Sequence, residues 1–85
     1  MTTVSNSKAL PVSAVVLFAH GSRDPQWAQP FRAMQEKLSV QRPELSVALA
    51  FLELMQPSLP EAVSHLAAAG HVRITIAPLF MAQGA

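Results

Sequence analysis

Six consecutive apolar residues, Ala14, Val15, Val16, Leu17, Phe18 and Ala19, run straight into His20, Gly21, Ser22, Arg23, Asp24 and Pro25. A run of this kind, without period-2 alternation and with adjacent β-branched Val15 and Val16, is the pattern of a strand covered on both faces. Such strands belong to parallel sheets flanked by helices, so the run restricts the chain to α/β architecture. It also delivers His20 to the carboxyl end of the strand, outside which ligands bind in open α/β sheets. Gly21 lets the backbone turn sharply beside the imidazole, and Ser22, Arg23 and Asp24 surround it with polar groups.

The rest of the chain supplies the partners that such a strand needs. Asp24 followed by Pro25 marks a helix start. The ring of Pro30 limits the first stretch to a short turn, which predicts a regular helix over 29–40. Trp27, Phe31, Met34 and Leu38 form its sheet-facing stripe, and Pro43 stops it. A second apolar run over 45–52 ends at Glu53 much as the first ends at His20. Ser58 and Glu61 then form a capping box, with Pro60 tolerated in the first turn. Leu59, Ala62, Val63, Leu66 and Ala69 make the apolar face of the second helix, and Gly70 ends it. A third strand over 72–77 alternates Val72, Ile74 and Ile76 with Arg73 and Thr75, and Pro78 closes it. The β-α-β-α-β order with right-handed crossovers predicts a parallel sheet in spatial order 2-1-3, with one helix on each face. Val16, Leu49, Trp27, Phe31, Leu38 and Ile76 are its expected core.

Composition removes several function classes. At 85 residues the chain holds one small domain at most. A formal net charge of +1 with only 13% charged residues leaves no basic patch for nucleic acid. There is no cysteine, so disulfides, thiolate nucleophiles and cysteine-held metal centres are excluded. Any metal must be held by histidine or oxygen. Residues 1–11 are polar, carry Lys8 as their one charge and read as a disordered tail without the apolar core of a signal peptide. No apolar run approaches the roughly 20 residues of a membrane span, so the expectation is a cytoplasmic protein with no membrane partner.

Three histidines and one glutamate carry the candidate chemistry. His20 and Glu53 end two neighbouring strands at one edge of the sheet. Read from spacing alone, His20 fits a metal ligand and a ring that caps a backbone carbonyl equally well. Glu53 by the same measure leans toward a solvated loop carboxylate, and Arg23 serves equally as loop ion pair or anion ligand. His65 falls on the polar face of the second helix. His71, after Gly70, lies at the amino end of the third strand and so at the far edge from His20.

Three segments in order, LFAHGSRDP at 17–25, AFLELMQPSL at 50–59 and ITIAPLFMAQGA at 74–85, resemble the successive signatures of the sirohydrochlorin chelatases. These are the small cobaltochelatase and ferrochelatase group of the class II chelatases. The resemblance implies a chelatase-like, flavodoxin-like three-layer α/β/α domain over 12–85. It further implies insertion of a divalent metal, Co²⁺ or Fe²⁺, into a sirohydrochlorin-type tetrapyrrole in cobalamin or siroheme biosynthesis, without ATP or an organic cofactor. In that family a strand-end histidine matching His20 is metal ligand and base, and an acidic residue matching Glu53 assists. Gly21, Ser22 and Arg23 would meet the carboxylate-rich substrate. The family's second histidine and its remaining helix and strand fall beyond Gly84 and Ala85. The domain is therefore expected to be incomplete at its carboxyl end, and a homodimer that completes a site stays open. Two rivals stand beside this reading. A histidine phosphatase normally carries an arginine directly before the histidine, where this chain has Ala19, and a non-catalytic module would bind metal or tetrapyrrole without turnover.

Overall fold

The apolar run forms β1 (Ser13–Ala19), the middle strand of a three-stranded sheet, in a computed structural model that describes residues 13–80. The tail expected over 1–11 lies outside the described residues. On either side of β1 lie β2 (Ser46–Phe51) and β3 (Arg73–Pro78), both parallel to it, giving the order β2-β1-β3. Val16 stands between Ala48 and Ile76, and Ala19 stands opposite Phe51. The central position explains the composition of the run: Ala14, Val16, Leu17 and Ala19 are all buried. Polar side chains there would have had no partners.

Alternation along the strands sorts the core into two halves. Leu17, Ala19, Leu49 and Phe51 point to one side and pack with Trp27, Phe31 and Leu38. Val16 and Ala50 point to the other and pack with Ala62, Leu59 and Leu66. Helix α1 (Gln29–Gln41) therefore covers one face of the sheet and helix α2 (Leu59–Ala68) the other.

Local chemistry sets the helix limits. The Asp24 carboxylate accepts a 2.9 Å hydrogen bond from the Gln26 N–H and starts a 3₁₀ turn, Pro25–Ala28. Pro30 falls in the first turn of α1, where its missing N–H has no intrahelical acceptor to lose. The capping box at α2 is complete: Glu61 N–H donates to Ser58 Oγ at 3.3 Å, and Ser58 N–H donates to Glu61 Oε1 at 2.9 Å. Gly70, at φ 102°, turns the chain from α2 toward β3.

The expected packing needs four corrections. Ile76 is 42% exposed. It lies on an outer strand, whereas Ile74 on the same strand is partly buried against the core of Val16, Ala50 and Ala62. Met34 is 44% exposed, because α1 is rotated so that Gln35 meets the sheet instead, its Nε2 donating to the Val47 carbonyl at 3.0 Å. Trp27, Phe31 and Leu38 are only half-buried, since α1 lies chiefly over the outer strand β2 and leaves part of each side chain open. Ala69, assigned to the apolar face of the second helix, is exposed at its end.

Phe31 still packs against Trp27, with ring centroids 4.7 Å apart and the planes tilted by 49°. Phe31→Ala is expected to lower stability by about 2–3 kcal/mol, below the roughly 3–5 kcal/mol of a fully buried phenylalanine. That corresponds to a fall of the order of 10 °C in a thermal melt, and a midpoint unchanged within about 2 °C would show that the Trp27–Phe31 contact contributes nothing.

Candidate active site

The parallel pairing of β1 with β2 continues past both strand ends. Leu52 N–H donates to the Ala19 carbonyl at 2.9 Å, and Glu53 N–H donates to the His20 carbonyl at 3.1 Å. Two backbone bonds thus hold His20 and Glu53 side by side at the carboxyl edge. Their side chains meet, with His20 Nε2 3.3 Å from Glu53 Oε2. The side chains are 57% and 55% exposed, so both donor atoms are open to a ligand arriving from solvent.

Gly21 makes this approach possible. It adopts φ 105°, and a Cβ built on it would stand 1.9 Å from the Glu53 carbonyl oxygen. No side chain fits there. On the other side, Leu54 takes φ 66° and Met55 N–H donates back to the Glu53 carbonyl at 2.8 Å. Phe51 N–H donates to the Pro57 carbonyl at 2.9 Å, closing the loop on the strand that feeds it. Glu53 is therefore carried on a short loop tied down at both ends.

The remaining predicted residues divide. Ser22 Oγ accepts from Asp24 N–H at 3.1 Å and shapes the loop while keeping its own O–H as a donor. Arg23 is exposed and makes no ion pair among the described residues. His65 is exposed on α2. His71 lies at the opposite edge, as its position before β3 predicts, but it is buried at 8% exposure and its Nδ1 has no hydrogen-bond partner among the described residues. Neither histidine joins His20.

One neighbour was not foreseen from the sequence. Phe80 follows β3, which pairs with β1 and is held past its end by a 2.7 Å bond from Leu79 N–H to the Phe18 carbonyl. Its ring meets His20 edge-on at a centroid distance of 5.9 Å and Phe18 at 5.1 Å. The available signal was parity, since residue 80 shares the strand face of Ile74 and Ile76, the side to which Val16 and Phe18 also point. Leu52 and Leu54, either side of Glu53, are exposed and give the same edge an apolar rim.

A concavity lies elsewhere. A groove of about 980 Å³ runs along the outer edge of β2 between the helices, lined in part by Arg32, Gln35, Val47, Glu61 and His65. It includes neither His20 nor Glu53, and its one carboxylate is committed to the capping box. At the strand ends, by contrast, an imidazole and a carboxylate converge. Among the described residues no group of three or more His, Cys, Asp or Glu side chains is placed to hold a metal, so the pair is a two-donor set with open positions.

Comparison with known proteins addresses the family of the whole chain. The CbiX family model matches residues 14–85. A sirohydrochlorin cobaltochelatase of Methanothermobacter thermautotrophicus is 36% identical over 80 residues, covering 94% of this chain and 55% of that protein. The Methanopyrus kandleri protein of the same name is 37% identical over 71 residues, covering 84% of this chain and 50% of that one. A crystal structure of a CbiX protein from Marinobacter aquaeolei VT8 superimposes with a TM-score of 0.67 at 32% identity, covering 80% of this chain and 55% of the other. The chain thus spans about half the length of the relatives it matches. With a parallel sheet of the same fold and a match that runs from the first strand onward, the chain belongs to the CbiX family.

Proposed function

We propose that the protein inserts cobalt(II) into a sirohydrochlorin-type tetrapyrrole, a step of cobalamin biosynthesis. The observation that carries this reading is the 3.3 Å separation of His20 Nε2 and Glu53 Oε2 at the carboxyl edge. Ligand bonds of about 2.0–2.2 Å let two atoms so spaced bind one ion together. The similarity to proteins named as sirohydrochlorin cobaltochelatases supports the choice of metal and macrocycle.

The chemistry follows from what insertion requires. Two pyrrolic N–H protons must leave the macrocycle, and a partly desolvated M²⁺ must take their place. Imidazole and carboxylate suit a divalent first-row metal, and the His20–Glu53 pair leaves positions open for the incoming pyrrole nitrogens. A full cage would retain the ion. While the metal is on His20, the Nε2 lone pair is occupied; once the metal passes to the macrocycle, that pair is free to accept one proton. The Glu53 carboxylate accepts the other. The exchange of M²⁺ for two protons is redox-neutral and needs no organic cofactor. Arg23 and the loop N–H groups at Ser22 pair with carboxylates on the substrate rim. Leu52 and Leu54 offer apolar contact to its flat face.

Cobalt insertion is followed by the absorbance change of the tetrapyrrole, with iron(II) run in parallel as the competing metal. Turnover with cobalt is the expected result, and a wild-type protein inert with both metals would remove the proposal. Glu53→Gln keeps the shape and loses the charge and proton acceptor. It is expected to lower kcat by about 10- to 100-fold with little change in KM for the tetrapyrrole.

A further inference from the structure

We propose that Phe80 is a positioning residue that holds the His20 imidazole in the orientation that aims Nε2 at Glu53. This rests on the proposed role of His20 as metal ligand and assigns a function to a residue outside the donor pair. The His20 side chain is 57% exposed, and its one polar side-chain contact among the described residues is Glu53. At 3.3 Å that contact is longer than the roughly 2.7–2.9 Å of a strong charge-assisted bond and does not by itself fix the ring. An exposed histidine held so loosely would turn about its side-chain bonds.

Phe80 supplies the missing restraint. Its ring lies 5.9 Å from the imidazole at an interplanar angle of 72°, an edge-to-face pairing well inside the aromatic contact range. Phe80 is in turn fixed from behind. Phe18 meets it at 5.1 Å and 61°, and Phe18 packs against the core formed by Val16, Ala50 and Ala62. The 2.7 Å bond between Leu79 N–H and the Phe18 carbonyl holds the backbone on which Phe80 stands. A ladder of rings therefore connects the rigid α2 side of the sheet to the metal ligand. Phe80 is itself 45% exposed, so its edge-on seat between Phe18 and His20, rather than burial, is what its ring contributes.

If Phe80 orients His20, its loss must act on metal handling rather than on macrocycle affinity. The test compares Phe80→Ala, Phe80→Leu and Phe80→Tyr in the full-length gene product. Leu restores apolar volume without a ring, and Tyr restores the ring. Three readouts are followed: the NMR shifts of the His20 ring, assigned with His20→Ala; the affinity for cobalt(II) alone; and kcat against KM for insertion.

Phe80→Ala and Phe80→Leu are expected to move the His20 ring shifts and to weaken cobalt(II) binding and kcat by roughly three- to tenfold, the span of an aromatic pair. KM for the tetrapyrrole should stay within about twofold, and Phe80→Tyr should restore all three readouts. Unchanged His20 shifts and unchanged cobalt(II) affinity in both ring-less variants would overturn the proposal. So would a raised KM with unchanged kcat, which would make Phe80 a macrocycle contact. Wild-type protein that fails to insert cobalt while its His20 shifts and cobalt(II) affinity still respond to Phe80 removes the proposed function and upholds the coupling.

Discussion

His20→Ala is expected to abolish metal insertion, lowering kcat by about 10²- to 10⁴-fold, the usual worth of a positioned acid–base group, while the fold survives. The residue stands one position past β1, more than half exposed, and belongs to neither half of the hydrophobic core. Its backbone carbonyl, which accepts from Glu53 N–H, remains in the alanine variant. The thermal midpoint should therefore stay within a few degrees of wild type. His65→Ala serves as the control, since His65 is exposed on α2 and away from the strand ends. Activity that survived in His20→Ala with the fold intact would move the reaction away from this edge of the sheet.

Gly21→Ala should damage stability and activity together. The added methyl would stand 1.9 Å from the Glu53 carbonyl oxygen, a backbone atom that cannot rotate out of the way, and the residue's φ of 105° is one that side-chain-bearing residues rarely adopt. Backbone strain of about 1–3 kcal/mol and overpacking of a similar size add to roughly 2–6 kcal/mol. That is a large share of the 5–15 kcal/mol that stabilises a typical domain. A fall in the melting midpoint of the order of 10 °C or more is expected. The chain could relieve the clash by moving the 52–57 loop, but this would separate Glu53 from His20. In that case insertion falls at least as far as in Glu53→Gln. A variant with wild-type melting and wild-type turnover would show that the two loops are not pressed together in solution.

The contrast between these variants separates chemistry from scaffold. His20 is needed for what its ring nitrogen does, and Gly21 for what it leaves empty. A loss of activity without loss of stability in the first, and of both in the second, is the pattern that a site built on two strand-end loops requires.

The sequence by itself determined the order and direction of the strands. An unbroken apolar run tolerates no wet face, so β1 had to lie in the middle of a helix-flanked sheet, and short β-α-β crossovers made its neighbours parallel. The strand ends followed, and with them the edge at which His20 and Glu53 emerge, because a parallel register puts the residues after neighbouring strands side by side. The caps at Asp24 and Ser58 were equally legible, since each is a bond between residues two or three apart.

Only the tertiary structure decided what depends on how elements rotate and press together. Periodicity marked Met34 as sheet-facing, yet the seat of α1 over the outer strand turned Gln35 inward to the free carbonyl of Val47. Ile76 has the pattern of a core residue and is exposed because β3 is an outer strand. His71 has the position of a wet connector residue and is buried. The need for Gly21 arises from the Glu53 backbone, 32 residues away in sequence, and the ring that meets His20 comes from Phe80, just past the end of β3. Contacts between segments so far apart leave no mark on local spacing. They are set by the twist and register of the sheet, which bring three strand ends to one point.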